Sequence, residues 1–345
     1  MIREGLTFDD VLLVPQHSTV ESRSKVDLSV KLGNLTFKHP IIPANMKTIT
    51  ESAMAFEVCK SGGLAILHRF MPFEEQLDIA LSIMKDFGSN GFGLSLGVKD
   101  HDYDNALKFI NHGVRVFCID IAHGDSELCV KMVRRLKEAD NTLTIIAGNV
   151  ATGMGARRLW EAGADVVKVG IGPGSLCTTR VETGNGVPQL TALMDVAQTQ
   201  NELVELWRTK DVNTPKRHFP FIADGGIKNA GDVVKALCFA DMVMVGNLFA
   251  GCAETPGEVL QIDGRCFKNY VGSSTHKTNY IEGVSAIVPT KGHFEEILSK
   301  LLEGLRSGCS YQGAHSLQEL KDNPEFIRIT NAGLKESHPH DVIIG

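Results

Sequence analysis

The stretch VVKVGIGPGSLCTTR, residues 166–180, carries the reading on which the fold depends. It opens as a short β-branched apolar run, turns at Gly170 into a loop of glycine and proline, and ends on Cys177, Thr178 and Thr179. Working outward, similar apolar runs recur at intervals of roughly 25 residues. They are PIIPANM (40–46), GLAILH (63–68), FGLSLGV (92–98), VFCIDI (116–121), TIIAGNV (144–150), VVKVGI (166–171), PFIADGGI (220–227) and MVMVGNLF (242–249). Helix-like stretches such as 74–85, 126–139 and 155–162 lie between them. Runs this uniformly apolar predict strands buried on both faces, hence a parallel sheet. Eight of them alternating with helices predict an α/β chain closed into a (β/α)8 TIM barrel rather than an open doubly wound sheet. The runs end on Asn45, His68, Asp120, Asn149, Gly170, Asp224 and Asn247. In a barrel these ends meet on one rim, where catalytic groups gather.

Composition narrows the function. Hydrophobic residues make up 43% and charged residues 22% of the 345, ordinary values for a globular chain able to bury its own core. The net charge of −6 argues against a nucleic-acid or anionic-membrane surface, which needs clustered Lys and Arg. An anionic small substrate would then be held by local amides and dipoles. No segment reaches the ~18 apolar residues of a membrane span. The opening MIREGLTFDDVLLVP carries an acidic pair where an export signal would be apolar, so a cytoplasmic location is expected. The eight cysteines show no metal spacing; Cys59, Cys118 and Cys238 sit in apolar patterns and read as core thiols of a reduced protein. A single domain spanning 1–345 is expected. Two excursions exceed ordinary loop length: 180–218, with the charged helix-like NELVELWRTKD, and 251–292, which follows the last strand and reads as a hairpin and short flap.

The loop from Gly170 to Arg180 superficially resembles a dinucleotide glycine motif, but such a motif belongs on a first β-turn-α unit and carries no cysteine. Here the glycines and Pro173 shape a loop that presents Cys177, a candidate nucleophile if loop amides stabilise its thiolate. Barrels often hold phosphate with the loops after strands seven and eight, which points to Gly225, Gly226 and Gly246. Asp224 would repel a phosphate and suits a ribose diol. Asp120 and His123 after strand four, with Asn149 in strand five, offer a carboxylate, an imidazole and an amide to a second polar ligand. His338 and His340 have no metal spacing.

The motifs GIGPGSLCTTR, ADGG, GNLFAG, IDIAHG and AGNV together resemble the IMP dehydrogenase / GMP reductase family, over essentially the whole chain. The resemblance implies that Cys177 attacks C2 of a purine nucleoside monophosphate, while hydride passes to or from a nicotinamide cofactor. It implies that Ser175, Gly225, Gly226, Gly246, Asn247 and Tyr270 hold the phosphate, that Asp224 takes the ribose, and that Met46, Gly272 and Ser273 line the base. Asp120, His123 and Asn149 would face the nicotinamide. Backbone carbonyls of Gly172, Gly174 and Cys177 would bind a monovalent cation such as potassium (K+), with Glu336, Ser337 and His338 arriving from a neighbouring subunit of a homotetramer. Lys47 and Asn247 depart from the pattern, which usually has Asp and Ser at these positions.

Within the family the resemblance leans to the reductase, which uses NADPH; the dehydrogenase with NAD is the alternative. Only residues 69–91 lie where dehydrogenases usually insert a pair of CBS domains, so none is expected. The 273–281 segment has no Arg for a water-activating Arg-Tyr flap, and Thr179 with Glu282 match the pair that delivers a proton to a leaving amine. LTFDDVLLVP, RSGCSYQGA and FIRITNAGLKESHPHDV look dehydrogenase-like. A non-catalytic nucleotide sensor is a further alternative, but it would have no use for a nucleophile.

Overall fold

The computed structural model describes residues 2–210, 218–272, 283–340 and 342. All eight predicted runs are strands: β1 (Ile41–Pro43), β2 (Ala65–Leu67), β3 (Phe92–Leu96), β4 (Val116–Asp120), β5 (Thr144–Val150), β6 (Val166–Val169), β7 (Phe221–Asp224) and β8 (Met242–Val245). They pair in parallel in the order β2-β3-β4-β5-β6-β7-β8-β1, and β1 and β2 come together at the remaining seam. The chain is a (β/α)8 TIM barrel. Its strands are short and enclosed on both faces, as the unbroken burial of β1, β2, β3, β6 and β8 shows.

Helices Ser52–Ser61, Phe73–Phe87, Asp100–Asn111, Glu127–Ala139 and Gly153–Ala162 follow β1 to β5 in turn. Gln189–Lys210 follows β6, Ala230–Leu237 follows β7, and Phe294–Tyr311 completes the set. Several start where a side chain caps the first turn. Ser126 accepts from Cys129 N–H, Thr152 from Gly155 N–H and Asn229 from Asp232 N–H, each cap stabilising its helix by about 1 kcal/mol. Trp160 stacks edge-on against Phe219 at 5.7 Å and donates its indole N–H to Pro220 O, joining the layer behind β5 to the entry of β7.

Outside the barrel, Val11–Leu13 pairs antiparallel with Phe326–Arg328, so the segment before β1 is tied to the one after the last long helix. The 251–292 excursion contains three antiparallel strands, β9 (Leu260–Ile262), β10 (Arg265–Val271) and β11 (Ser285–Pro289), rather than a single hairpin. One expectation needs correction: Gly246 and Asn247 lie beyond β8, which ends at Val245, in a tight turn that the apolar LF pair had disguised as strand. The helix expected in 180–218 is longer than NELVELWRTKD, because its apolar positions start at Leu190. No helix among the described residues is long and apolar enough to cross a membrane.

Candidate active site

Cys177 is exposed, whereas Cys59, Cys118 and Cys238 are buried as expected. Burial pushes the thiols of Cys59 and Cys238 up to about 12, so they stay protonated and inert. The Cys177 loop is held by its own amide, which donates to Gly174 O at 3.0 Å, and by Sγ, which lies 3.1 Å from Thr179 Oγ1. From the side of β11, Gly283 N–H donates to Thr178 Oγ1 at 2.8 Å and Val284 N–H to Leu176 O at 3.1 Å. The neck of the β10–β11 hairpin is therefore fastened to the loop that carries the nucleophile. Gly272 belongs to that neck, its N–H donating to Val284 O. Ser273 and Glu282 lie outside the described residues.

Beside this loop a cavity of about 440 Å³ opens at the C-terminal ends of β6, β7, β8 and β1. It brings together Met46, Ser175, Asp224, Gly225, Gly226, Gly246, Asn247 and Tyr270, most of the residues predicted for a nucleotide. Its size suits a small organic ligand. Gly225 and Gly226 have φ of +94° and +82°, a double left-handed turn that only glycine makes without strain. The Tyr270 hydroxyl stands 3.4 Å from Ser175 Oγ, and burial raises the phenol's pKa, so it stays a proton donor at neutral pH. A Cβ on Gly246 would lie 2.8 Å from the same hydroxyl. Gly246→Ala is therefore expected to displace Tyr270 and weaken binding of a nucleoside monophosphate by about tenfold, read by calorimetric titration; unchanged affinity would mean that Tyr270 does not reach the phosphate.

Behind the cavity lies a group the sequence reading missed. Lys168, in the middle of β6 and 2% exposed, has its Nζ 2.6 Å from Asp224 Oδ2 and 3.0 Å from Asp120 Oδ1. Asn149 sits where the β5–β6 register slips by one residue, and this bulge turns its amide to donate to both Asp224 Oδ2 and Gly170 O. Arg69 donates to the Asp120 carbonyl at 3.1 Å. Two carboxylates and two cations thus lie together, with Lys168 buried and the others partly exposed. Burial by itself would raise Asp120, but Lys168 and Arg69 hold its carboxyl below the usual range. Burial works to lower Lys168, yet the attraction of Asp120 and Asp224 outweighs it and the ammonium is raised. The missed signal was a charged residue inside a run buried on both faces, which demands a partner.

Other predicted residues fall elsewhere. His123 is exposed, because the chain has already left β4. His68 is fully buried and bonded to Glu51 Oε1 at 3.0 Å, with Nδ1 accepting from Phe70 N–H, a structural role. Gly172 packs against Arg180, whose guanidinium donates to Ile171 O and Val187 O. Glu336, Ser337 and His338 are exposed at the end of helix Asn331–Glu336 and do not line the cavity. Lys47 is exposed.

A family model described as IMP dehydrogenase / GMP reductase domain matches residues 5–340. The chain belongs to this family. It is 33% identical to an inosine-5'-monophosphate dehydrogenase of Nitrosopumilus maritimus, over 99% of each chain. It is 38% identical to a GMP reductase of Streptococcus equi subsp. equi, covering 91% of this chain and 92% of that one. Among solved structures it resembles a cysteine-to-alanine variant of a GMP reductase from Trypanosoma brucei in complex with guanosine 5'-monophosphate, with a TM-score of 0.88, 30% identity and 99% of both chains covered. As a member of the IMP dehydrogenase / GMP reductase family it is an oxidoreductase, with relatives that carry either name.

Proposed function

We propose that this chain is a GMP reductase, converting GMP and NADPH to IMP, NADP and ammonia. The observation that carries the reading is the neck at Gly272, Gly283 and Val284. It leaves only residues 273–282 beyond it, and none of these is Arg. So short a span is poorly suited to bringing a water-activating Arg-Tyr pair into the site, and general-base help of that kind is commonly worth ~10²–10⁴-fold.

In this reading the nucleotide lies in the cavity with its phosphate against Gly226, Gly246, Asn247, Ser175 and Tyr270, and its ribose on Asp224. Asp224 Oδ2 already accepts from Lys168 and Asn149, which leaves Oδ1 to the ribose hydroxyls. Cys177 Sγ adds to C2 of the purine, and the amine on C2 leaves as ammonia after receiving a proton through Thr179 and Glu282. The nicotinamide, when bound, supplies a hydride to C2, and the thiolate then departs to leave IMP. Among the described residues Asn149 Oδ1 is buried with no hydrogen-bond partner, an acceptor suited to a carboxamide N–H, so the residues present fit that cofactor beside Asp120. The expected monovalent cation fits less well. Gly174 O already accepts from Cys177 N–H and Arg180 brings its own charge to the loop, so no step is assigned to a cation.

The test is absorbance of the reduced nicotinamide with purified protein in potassium buffer. NADPH loss dependent on GMP, with ammonia released, supports the reductase. NADH formed from IMP and NAD, with XMP as product, overturns it in favour of the dehydrogenase, the name that the Nitrosopumilus relative carries. Glu282→Gln is expected to slow ammonia release by about a hundredfold while hydride exchange between cofactor and IMP persists. Unchanged steady-state rates would make Glu282 a bystander.

A further inference from the structure

After β8 the chain makes one tight turn, with Phe249 and Ala250 N–H both donating to Gly246 O, and Cys252 N–H then donating to Phe249 O. The front of this turn, Gly246 and Asn247, lines the cavity. Carbonyls of the turn and of the segment that follows it meet two lysines. Lys291 Nζ donates to Asn247 O at 2.5 Å and Leu248 O at 3.3 Å. Lys268 Nζ donates to Cys252 O at 3.0 Å, Ala253 O at 3.0 Å and Thr255 O at 2.7 Å. Lys268 is only 5% exposed, and among the described residues neither ammonium has a carboxylate within ion-pair distance.

Lys268 in particular is held on neutral carbonyls and largely out of water, which is costly unless something repays the desolvation. Burial lowers the pKa of both lysines, the expected sign of that cost. Glu254 offsets part of this cost for Lys268, and an anion on the other side of the turn would offset more. Lys268 also shares a face of β10 with Tyr270, two residues on, whose hydroxyl stands by Ser175 at the front. One strand thus reaches both sides of the same turn.

We infer that Lys268 and Lys291 are positioning residues for the nucleotide phosphate, Lys291 fixing the Gly246–Asn247 turn and Lys268 the segment leading out of it, both supplying positive charge without touching the ligand. The inference rests on the proposed reading that the phosphate lies at this turn. It adds positive charge behind a cavity whose own cations are engaged, Lys228 with Asp9 and Arg180 with loop carbonyls, and so favours a dianion.

The experiment compares binding of IMP and of inosine, which lacks only the phosphate, to wild type, Lys268→Met, Lys291→Met and Lys291→Arg by calorimetric titration. Loss of IMP affinity by about tenfold or more in both Met variants, with inosine affinity unchanged and Lys291→Arg restoring most of the loss, is the expected result. Parallel loss for IMP and inosine, or no loss, overturns the proposal by making the lysines general scaffold. Should Lys268→Met fail to fold, Lys291→Met, whose stem is less enclosed, decides alone. If wild type binds inosine as tightly as IMP, the phosphate placement itself fails and the proposal with it; if wild type prefers IMP and the variants do too, only the proposal fails.

Discussion

Cys177→Ala is expected to lower turnover by at least about four orders of magnitude while leaving nucleotide affinity nearly intact. The two effects separate because of where the residue stands. Its Sγ is exposed, bonded to Thr179 Oγ1, and is not part of the wall formed by Met46, Ser175, Asp224 and the glycine turns. Removing the thiol leaves that wall in place and deletes only the atom that would form a bond to C2. A covalent route has no substitute for that atom, since Thr179 is a far weaker nucleophile at neutral pH. The check is steady-state turnover alongside equilibrium binding of IMP. Turnover within a factor of ten of wild type would exclude a covalent route through this residue.

Lys168→Met should cost about 3–5 kcal/mol of folding stability, the usual result of deleting one partner from a buried ionic group. Asp120 and Asp224 would face each other without the ammonium that lies 3.0 and 2.6 Å away, while Arg69 reaches only the Asp120 backbone. The variant's remaining stability should then depend on pH differently. In wild type Asp120 is held below its unfolded value of ~3.9, so its contribution is present above that pH and is lost as pH falls through the folded value. Lys168 is raised, so its contribution is present below the unfolded value of ~10.4 and is lost only as pH rises through the folded one. Wild-type stability from this network is therefore full from about pH 4 to about pH 10. In the Met variant Asp120 loses its main stabilising partner, so mild acid should become less harmful relative to neutral pH. Denaturant titrations at neutral and mildly acidic pH measure both effects. A Met variant as stable as wild type, with the same acid limb, would show that the carboxylates do not depend on Lys168.

How much of this was legible beforehand follows from which interactions are local. The eight strands could be read because each is enclosed on both sides, which leaves an unbroken β-branched run in the sequence. The Cys177 loop and the Asp224-Gly-Gly turn were legible because glycine at left-handed φ and a thiol after proline leave a local trace. The Lys168 network left only the lone charge in a buried run: its members come from β4, β5, β6 and β7, and only the parallel register brings them to one height. The bulge that aims Asn149 was hidden for the same reason. β11 escaped notice because its residues alternate between partly buried and exposed without a strongly apolar side.

The antiparallel pair between Val11–Leu13 and Phe326–Arg328 bears on the order in which the molecule is made. Thr7, Phe8 and Asp9 form part of the cavity wall, and the strand that immediately follows them has its hydrogen-bonded partner roughly 300 residues later in the chain. β1 likewise pairs with β8, Ile41 opposite Val243. A ribosome making this protein therefore releases β2 to β7 as a growing sheet with both edges open, and the earliest segments wait for the latest. Ligand binding can serve as a reporter of complete synthesis, because the wall is not secured until residues 326–328 have emerged. Until then the edges of the growing sheet stay unpaired.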